Sequence, residues 1–398
     1  MAPGPSNLHP RVLEALIAPL TGHKDPYFLR IMDETASLLR QVFETRNATV
    51  ALPASGGSGM EAALINLLQP GDTVVVGEAG FFAHRMVDIA QRLRDVEVVV
   101  VCGRWGAPVD NDELIAAVRT HRPRVLSVVH GETSTGVEQP LAGLAEVCRE
   151  VDALLVVDAV ATLGGVRLPV DELGIDVCYS GSQKCLSAPP GLAPMSLSGR
   201  ALEAISSRRT PVQSWYLDLE LHTRLWGPEH IYHHTSPVVN LYALYEALQL
   251  IAEEGLDRRL DRHCAHAAAL RAGLEALGLE LFADPAHRLP SVTTVLAPLG
   301  ISAAAVRATL LAEYDIEIAA GLGEYTDRLW RVGIMGHSAQ RRNVILLLTA
   351  LEQVLRQHGF EPLASGAAAA DAVYREQSAG SSQLSAGSEE QALVTVQQ

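Results

Sequence analysis

From about Thr49 onward, short runs of apolar, mostly β-branched residues alternate with stretches of helical spacing, and this alternation limits the chain to very few architectures. The runs are TVALPA, TVVVGE, VEVVVVC, RVLSVVH, ALLVVDA and DVCYSG; between them lie GMEAALINLL, FAHRMVDIAQRL, NDELIAAVRTH and LAGLAEVCREV. A strand that is apolar on both faces must be covered on both faces, so the pattern predicts an α/β fold with a mainly parallel sheet between helical layers. In such sheets ligands bind beyond the carboxyl ends of the strands. The residues that follow each apolar run are therefore the ones to inspect for chemistry.

The pattern is framed by other material. Pro10 opens a short helix after an extended start at Gly4-Pro5-Ser6, which defines an N-terminal arm over residues 1–20. The large domain is expected over 21–255. From 256 to 362 the text becomes more helical, with strand candidates at SVTTVLA and LWRVGIM and a last helix at RRNVILLLTALEQVLRQ, which predicts a smaller α+β domain. Beyond Pro362 the residues are mainly Ala, Ser, Gly, Gln and Glu, so 363–398 is expected to be a disordered tail.

Composition narrows the function. A net charge of -15 spread along the chain argues against a nucleic-acid partner. The 5 cysteines form an odd set without a CxxC pair, which suits buried thiols in a reducing compartment. No secretory or transit segment opens the sequence and no run is long enough to span a membrane, so the expected location is cytoplasmic.

The most informative stretch is Ser180-Gly181-Ser182-Gln183-Lys184, between the strand-like DVCY and a Pro-Pro-Gly turn. A lysine at a strand end among small residues is what a Schiff base to an aldehyde cofactor needs. A solvated surface lysine is the plain alternative. Asp158 ends LLVVD, where a carboxylate could hold a proton on a pyridine nitrogen or simply cap a following helix. Val160 could pack beneath the ring or belong to the core.

Ser55-Gly56-Gly57-Ser58-Gly59 leads into a helix, so its amides would face an anion such as a phosphate, unless the run is only a flexible turn. His130 to Gly136 follows another strand, and its hydroxyls could reach a phenolic oxygen. Phe82 lies just past TVVVGE, where its ring could stack on a pyridine face. Arg331 stands between apolar neighbours and demands an anion, either a substrate carboxylate or a structural partner. Tyr232-His233-His234-Thr235 invites a metal, but adjacent histidines on an extended segment are expected to point opposite ways, so no metal is predicted.

Taken together, GPSNLHPR, ASGGSGMEAAL, HGETSTGVEQP, VVDAVATLGG, YSGSQKCLSAPPG, YHHTSPV, LPSVTTV and LWRVGIMG resemble the alanine:glyoxylate aminotransferase family of class V, fold-type I pyridoxal-phosphate enzymes. The resemblance runs from about residue 4 to 360 and implies a mainly parallel, seven-stranded-type sheet with pyridoxal 5'-phosphate as cofactor. It implies that Lys184 forms the Schiff base, Asp158 contacts the ring nitrogen, and Val160 and Phe82 cover the two ring faces. Ser55, Gly56, Gly57 and Gln183 would bind the phosphate, joined by Tyr232 and Thr235 from the other subunit of a homodimer. Thr133 would approach the cofactor hydroxyl and Arg331 would clamp the substrate carboxylate.

Departures from the best-known animal members leave the amino donor open: Phe82 replaces a tryptophan, Gly57 a histidine and Thr133 a serine. The N-terminal arm is expected to be shorter, with less of it available to wrap a partner subunit. The expected reaction moves the amino group of a small amino acid, alanine first, to glyoxylate, a 2-oxo acid, in two half-reactions. Serine or ureidoglycine as donor and pyruvate as acceptor are alternatives, followed by a class V lyase or desulfurase and by a non-catalytic cofactor-binding protein.

Overall fold

A computed structural model of the chain describes residues 1–379. Its strands are β1 (Ala48–Pro53), β2 (Thr73–Glu78), β3 (Glu97–Cys102), β4 (Val125–Val129), β5 (Gly131–Glu132), β6 (Val137–Glu138), β7 (Leu154–Asp158), β8 (Val177–Tyr179), β9 (Leu192–Leu197), β10 (Val292–Leu296), β11 (Ala319–Ala320) and β12 (Leu329–Gly333). The main sheet has 7 strands in the order β1-β9-β8-β7-β4-β2-β3. The four neighbouring pairs from β8 to β3 are parallel, while β9 runs against both β1 and β8. Every residue of β4 and β7 is buried, as the unbroken apolar runs require.

The alternation in the sequence located every strand of this sheet except β9. Its sequence, LAPMSL, carries Pro194 in mid-strand, and a proline there argues against a central strand because it lacks the ladder N–H. The structure resolves the conflict through the carbonyl side: the Pro194 oxygen accepts the amide of Ser180 at 2.8 Å.

The second unit packs the antiparallel sheet β10-β12-β11 against helices Leu256–Ala276, Ala303–Tyr314 and Arg341–Gln357. Its core, with Trp330, Leu270, Leu348 and Val306, is separate from the one around the main sheet. The first residues of the chain bridge the two units. The amide of Gly333 on β12 donates to the Met1 carbonyl at 2.8 Å, and the amide of Ser6 donates to the Gln183 carbonyl at 2.8 Å.

The tail departs from expectation. Residues 366–379 are helical, and Ala370 and Tyr374, four apart on one face, are buried in the small core. Tyr374 also hydrogen-bonds His266 at 2.8 Å. Polar composition averaged over the segment hides two well-spaced anchors. The remainder of the expected tail, 380–398, lies outside the described residues. The thiols are also mixed: Cys148, Cys178 and Cys185 are buried, but Cys102 and Cys264 are exposed. No helix among the described residues is long and apolar enough to cross a membrane.

Candidate active site

The parallel strands deliver their carboxyl ends to one cavity of about 150 Å³, lined by Ser55, Gly56, Gly57, Phe82, Thr133, Asp158, Val160, Gln183 and Lys184 together with Arg85 and four other residues. Residues scattered over 130 positions of sequence thus meet because β1, β2, β4, β7 and β8 all end there. A larger cavity of about 610 Å³ lies elsewhere, beside His9, Arg259, Arg262 and His337. Its arginines are already paired, Arg259 and Arg262 both holding Glu254, and it receives no strand end.

Lys184 lies on the turn after β8, and the carbonyl of Lys184 accepts the Ser6 hydroxyl at 2.9 Å. Its Nζ donates to the Pro3 carbonyl at 2.5 Å. The arm passes so close that a Cβ at Gly4 would come within 2.6 Å of the lysine chain, and Gly4 has a φ of +102°, which favours glycine. Burial lowers the lysine pKa to about 8, with the nearby Arg331 charge adding to the effect. An amine tuned in this way is a nucleophile near neutral pH.

Asp158 is 4% exposed at the end of β7. Its Oδ1 accepts the Val160 amide at 2.8 Å in a turn, and the next regular element is strand β8, so the helix cap weighed in the sequence is not what the structure shows. Burial lifts its pKa to about 7, against the opposing pull of that amide. A carboxyl in this state is held in check until a cationic partner arrives, which is the demand a protonated ring nitrogen meets.

Helix Gly56–Leu67 begins at Ser55, whose side chain makes no capping bond. The amides of Gly56 and Gly57 find no acceptor among the described residues, so the helix start presents free donors to an anion. A Cβ at Gly56 would stand 2.5 Å from Val160 Cγ2, so glycine is what leaves this end of the pocket open beside Val160. Gln183 Oε1 is buried without a partner. The free helix-start amides, the small pocket floor and the Lys184–Asp158 pair fit pyridoxal phosphate.

Arg331 comes from β12 of the other unit. Its Nε donates to the Ala320 carbonyl at 2.6 Å and its Nη1 to the Thr133 carbonyl at 3.3 Å. It has no ion pair among the described residues, so its charge is available for a substrate anion. Burial lowers its pKa, as expected for a guanidinium with no carboxylate of its own.

Tyr232 and Thr235 are not brought into this cavity. Both are exposed, with the tyrosine hydroxyl 3.5 Å from the threonine oxygen. Between them, His233 and His234 contradict the expected opposite orientation: their Nδ1 atoms are 3.0 Å apart, because the segment is not an extended strand.

Two contributors were not read from the sequence. Glu132 is buried, and it accepts the amides of Phe82 and Ala83 at 3.0 and 3.1 Å and the amide and hydroxyl of Ser134 at 2.9 and 2.7 Å. It therefore caps helix Phe81–Gln91 from fifty residues away, replacing the side chain that Gly80 at the helix start lacks. Gly80 leaves room for it, since a Cβ there would lie 2.4 Å from Glu132 Cγ. Burial raises the Glu132 pKa against these four donors. Arg85 stacks 5.1 Å above the Phe82 ring; its position one turn after Phe82 was the available signal.

A buried, weakly basic lysine facing a buried carboxyl, beyond the strand ends of this sheet, defines a fold-type I pyridoxal-phosphate-dependent enzyme. Residues 14–327 match the model for aminotransferase class-V, and the chain belongs to that family. It is 44% identical over 361 residues to the alanine–glyoxylate aminotransferase of Callithrix jacchus, covering 89% of this chain and 87% of the relative. The crystal structure of ureidoglycine-glyoxylate aminotransferase from Bacillus subtilis superposes with a TM-score of 0.91 at 40% identity, covering 94% and 97% of the two chains. That of alanine–glyoxylate aminotransferase from Nostoc sp. gives 0.87 at 47% identity over 89% and 94%. The protein is a pyridoxal-phosphate-dependent aminotransferase, as the motifs implied.

Proposed function

We propose that the protein transfers the amino group of a small amino acid, alanine first, to glyoxylate, giving pyruvate and glycine. The observation that carries this reading is the guanidinium of Arg331, which has no ion pair among the described residues and donates to the carbonyl of Thr133, a residue lining the small pocket. Planar bidentate pairing with an α-carboxylate would place the α-carbon near Lys184, and the limited space favours a short side chain. The relatives' names favour glyoxylate as acceptor, since both the alanine and the ureidoglycine enzymes use it.

Pyridoxal phosphate, when bound, supplies an aldehyde carbon for amine exchange and a ring that spreads the charge left when the α-proton departs. Lys184 would hold the group through its Nζ, and the same amine, once free, would take the substrate's α-proton and hand it back. Asp158 would keep the ring nitrogen protonated. Phe82 and Val160 would hold the ring, and the Thr133 hydroxyl would serve its phenolic oxygen. Ser55, Gly56, Gly57 and Gln183 would hold the phosphate.

The exposed Tyr232 and Thr235 serve a second copy of the chain in a homodimer, each subunit completing the other's phosphate site. One observation favours a second donor: the ureidoglycine enzyme of Bacillus subtilis is as similar along the chain as the alanine enzymes are. The test is a half-reaction screen that follows the cofactor absorbance as alanine, serine and ureidoglycine are added in turn, then glyoxylate or pyruvate. Fastest conversion by alanine with recovery by glyoxylate supports the proposal; a strong preference for ureidoglycine replaces the donor.

A further inference from the structure

We infer that His222, His233 and His234 form a binding site for one divalent transition-metal ion of the zinc, nickel or cobalt kind. The ion would tie the segment 227–236, which carries Tyr232 and Thr235, to helix Leu219–Trp226.

The three imidazoles are buried, and one ring nitrogen from each lies within 4.8 Å of the others. The ring centroids form a nearly regular triangle with sides of 4.8, 5.1 and 4.9 Å. Tetrahedral coordination at a Zn–N distance of about 2.1 Å needs nitrogens roughly 3.4 Å apart, so small ring rotations suffice.

The hydrogen bonds fix which nitrogens are available. His222 Nε2 lies 2.8 Å from the Tyr216 carbonyl and His233 Nε2 lies 3.2 Å from the Trp215 carbonyl. A carbonyl only accepts, so each Nε2 carries the proton and each Nδ1 carries a lone pair. Backbone carbonyls that hold the far N–H while the near nitrogen faces a common centre are the usual outer support of a histidine metal ligand.

A hydrogen-bonded histidine cluster without metal accounts for part of this. The His234 Nδ1–H would donate to His233 Nδ1 across their 3.0 Å separation. It leaves His222 Nδ1 unexplained: that atom is buried and has no hydrogen-bond partner among the described residues. A buried lone pair that meets neither water nor a donor is uncommon, and a metal ion would satisfy it. Three neutral imidazoles without a carboxylate suit borderline metals and not calcium or magnesium. Water would complete the fourth position.

The placement has a consequence for the assembly. His233 and His234 point inward while Tyr232 and Thr235, immediately on either side, face outward. An ion on the inner pair would hold the outer pair in one arrangement.

The test uses cofactor-loaded protein stripped with a chelator and titrated with cobalt chloride, following the visible d–d band of four-coordinate cobalt, which is separate from cofactor absorption. The expected result is one cobalt per chain, displaced by zinc, with affinity reduced about 100-fold or more in His222→Gln and His234→Gln. Melting of the wild-type protein should rise with zinc and that of His222→Gln should not. Absence of the band in the wild-type protein overturns the inference whether or not the variants fold. Equal cobalt stoichiometry in wild type and His222→Gln overturns it too, by placing the ion elsewhere.

Discussion

The carboxylate of Glu132 accepts the backbone amide of Phe82 at 3.0 Å, linking the loop that carries Thr133 to the start of helix Phe81–Gln91. One buried side chain thus sets the positions of two groups assigned to opposite aspects of the cofactor.

Glu132→Gln replaces one of two accepting oxygens with an NH2 group that faces other donors. Each buried donor left unmet costs about 1–3 kcal/mol, so the variant should melt several degrees lower. Its kcat/KM should fall at least about tenfold through displaced Phe82 and Thr133. Thermal melting together with steady-state kinetics checks both effects; unchanged kinetics in a destabilised protein would reduce Glu132 to a purely structural role.

Asp158 has a folded pKa near 7, raised from the ordinary value of 3.8 by burial. The sign follows: its contribution to the stability of cofactor-free protein is full below the unfolded value and is lost as pH rises through about 7. Asp158→Asn removes the buried charge, so the cofactor-free variant should be more stable than wild type by on the order of 1–3 kcal/mol at pH 8, and by less at pH 5. Its activity should nevertheless fall by about 100-fold or more, because an amide cannot hold the ring nitrogen protonated. Melting curves of both cofactor-free proteins at the two pH values decide the first point, and turnover decides the second.

Lys184 has its pKa lowered to about 8, first by burial and next by Arg331. The rate at which cofactor-free protein captures pyridoxal phosphate should therefore climb with pH through about 8 and level off above it. Arg331→Gln removes one of the two causes, so its midpoint should move upward. The same variant should raise KM for the amino donor by about 100-fold. Stopped-flow absorbance across pH measures the midpoint; a midpoint that does not move would separate Arg331 from the lysine.

Gly56→Ala would force a Cβ to within 2.5 Å of Val160 Cγ2. Cofactor affinity should drop about tenfold, with partial recovery when Val160→Ala is added. Equilibrium dialysis of pyridoxal phosphate against the three proteins tests the coupling.

How far the sequence disclosed these features depends on the range of the interactions. Strand ends are local, so Asp158, Lys184 and the Ser55 to Gly59 turn were legible from an apolar run followed by small or polar residues. The convergence of nine expected residues on one cavity follows from parallel strands sharing one direction. Glu132 was not legible, because its meaning lies in the amides of a helix fifty positions away. The strand β9 was obscured by Pro194, whose carbonyl does the pairing that its missing N–H cannot. The orientation of His233 and His234 was misjudged because alternation was applied to a segment that is not a strand.

The central claim is that Lys184 carries the cofactor. Purified protein loaded with pyridoxal phosphate should be reduced with borohydride, digested and mapped by mass spectrometry. The account predicts a single phosphopyridoxyl adduct on the peptide containing Lys184, lost in Lys184→Arg. An adduct on a different lysine, or none with cofactor present, would contradict it.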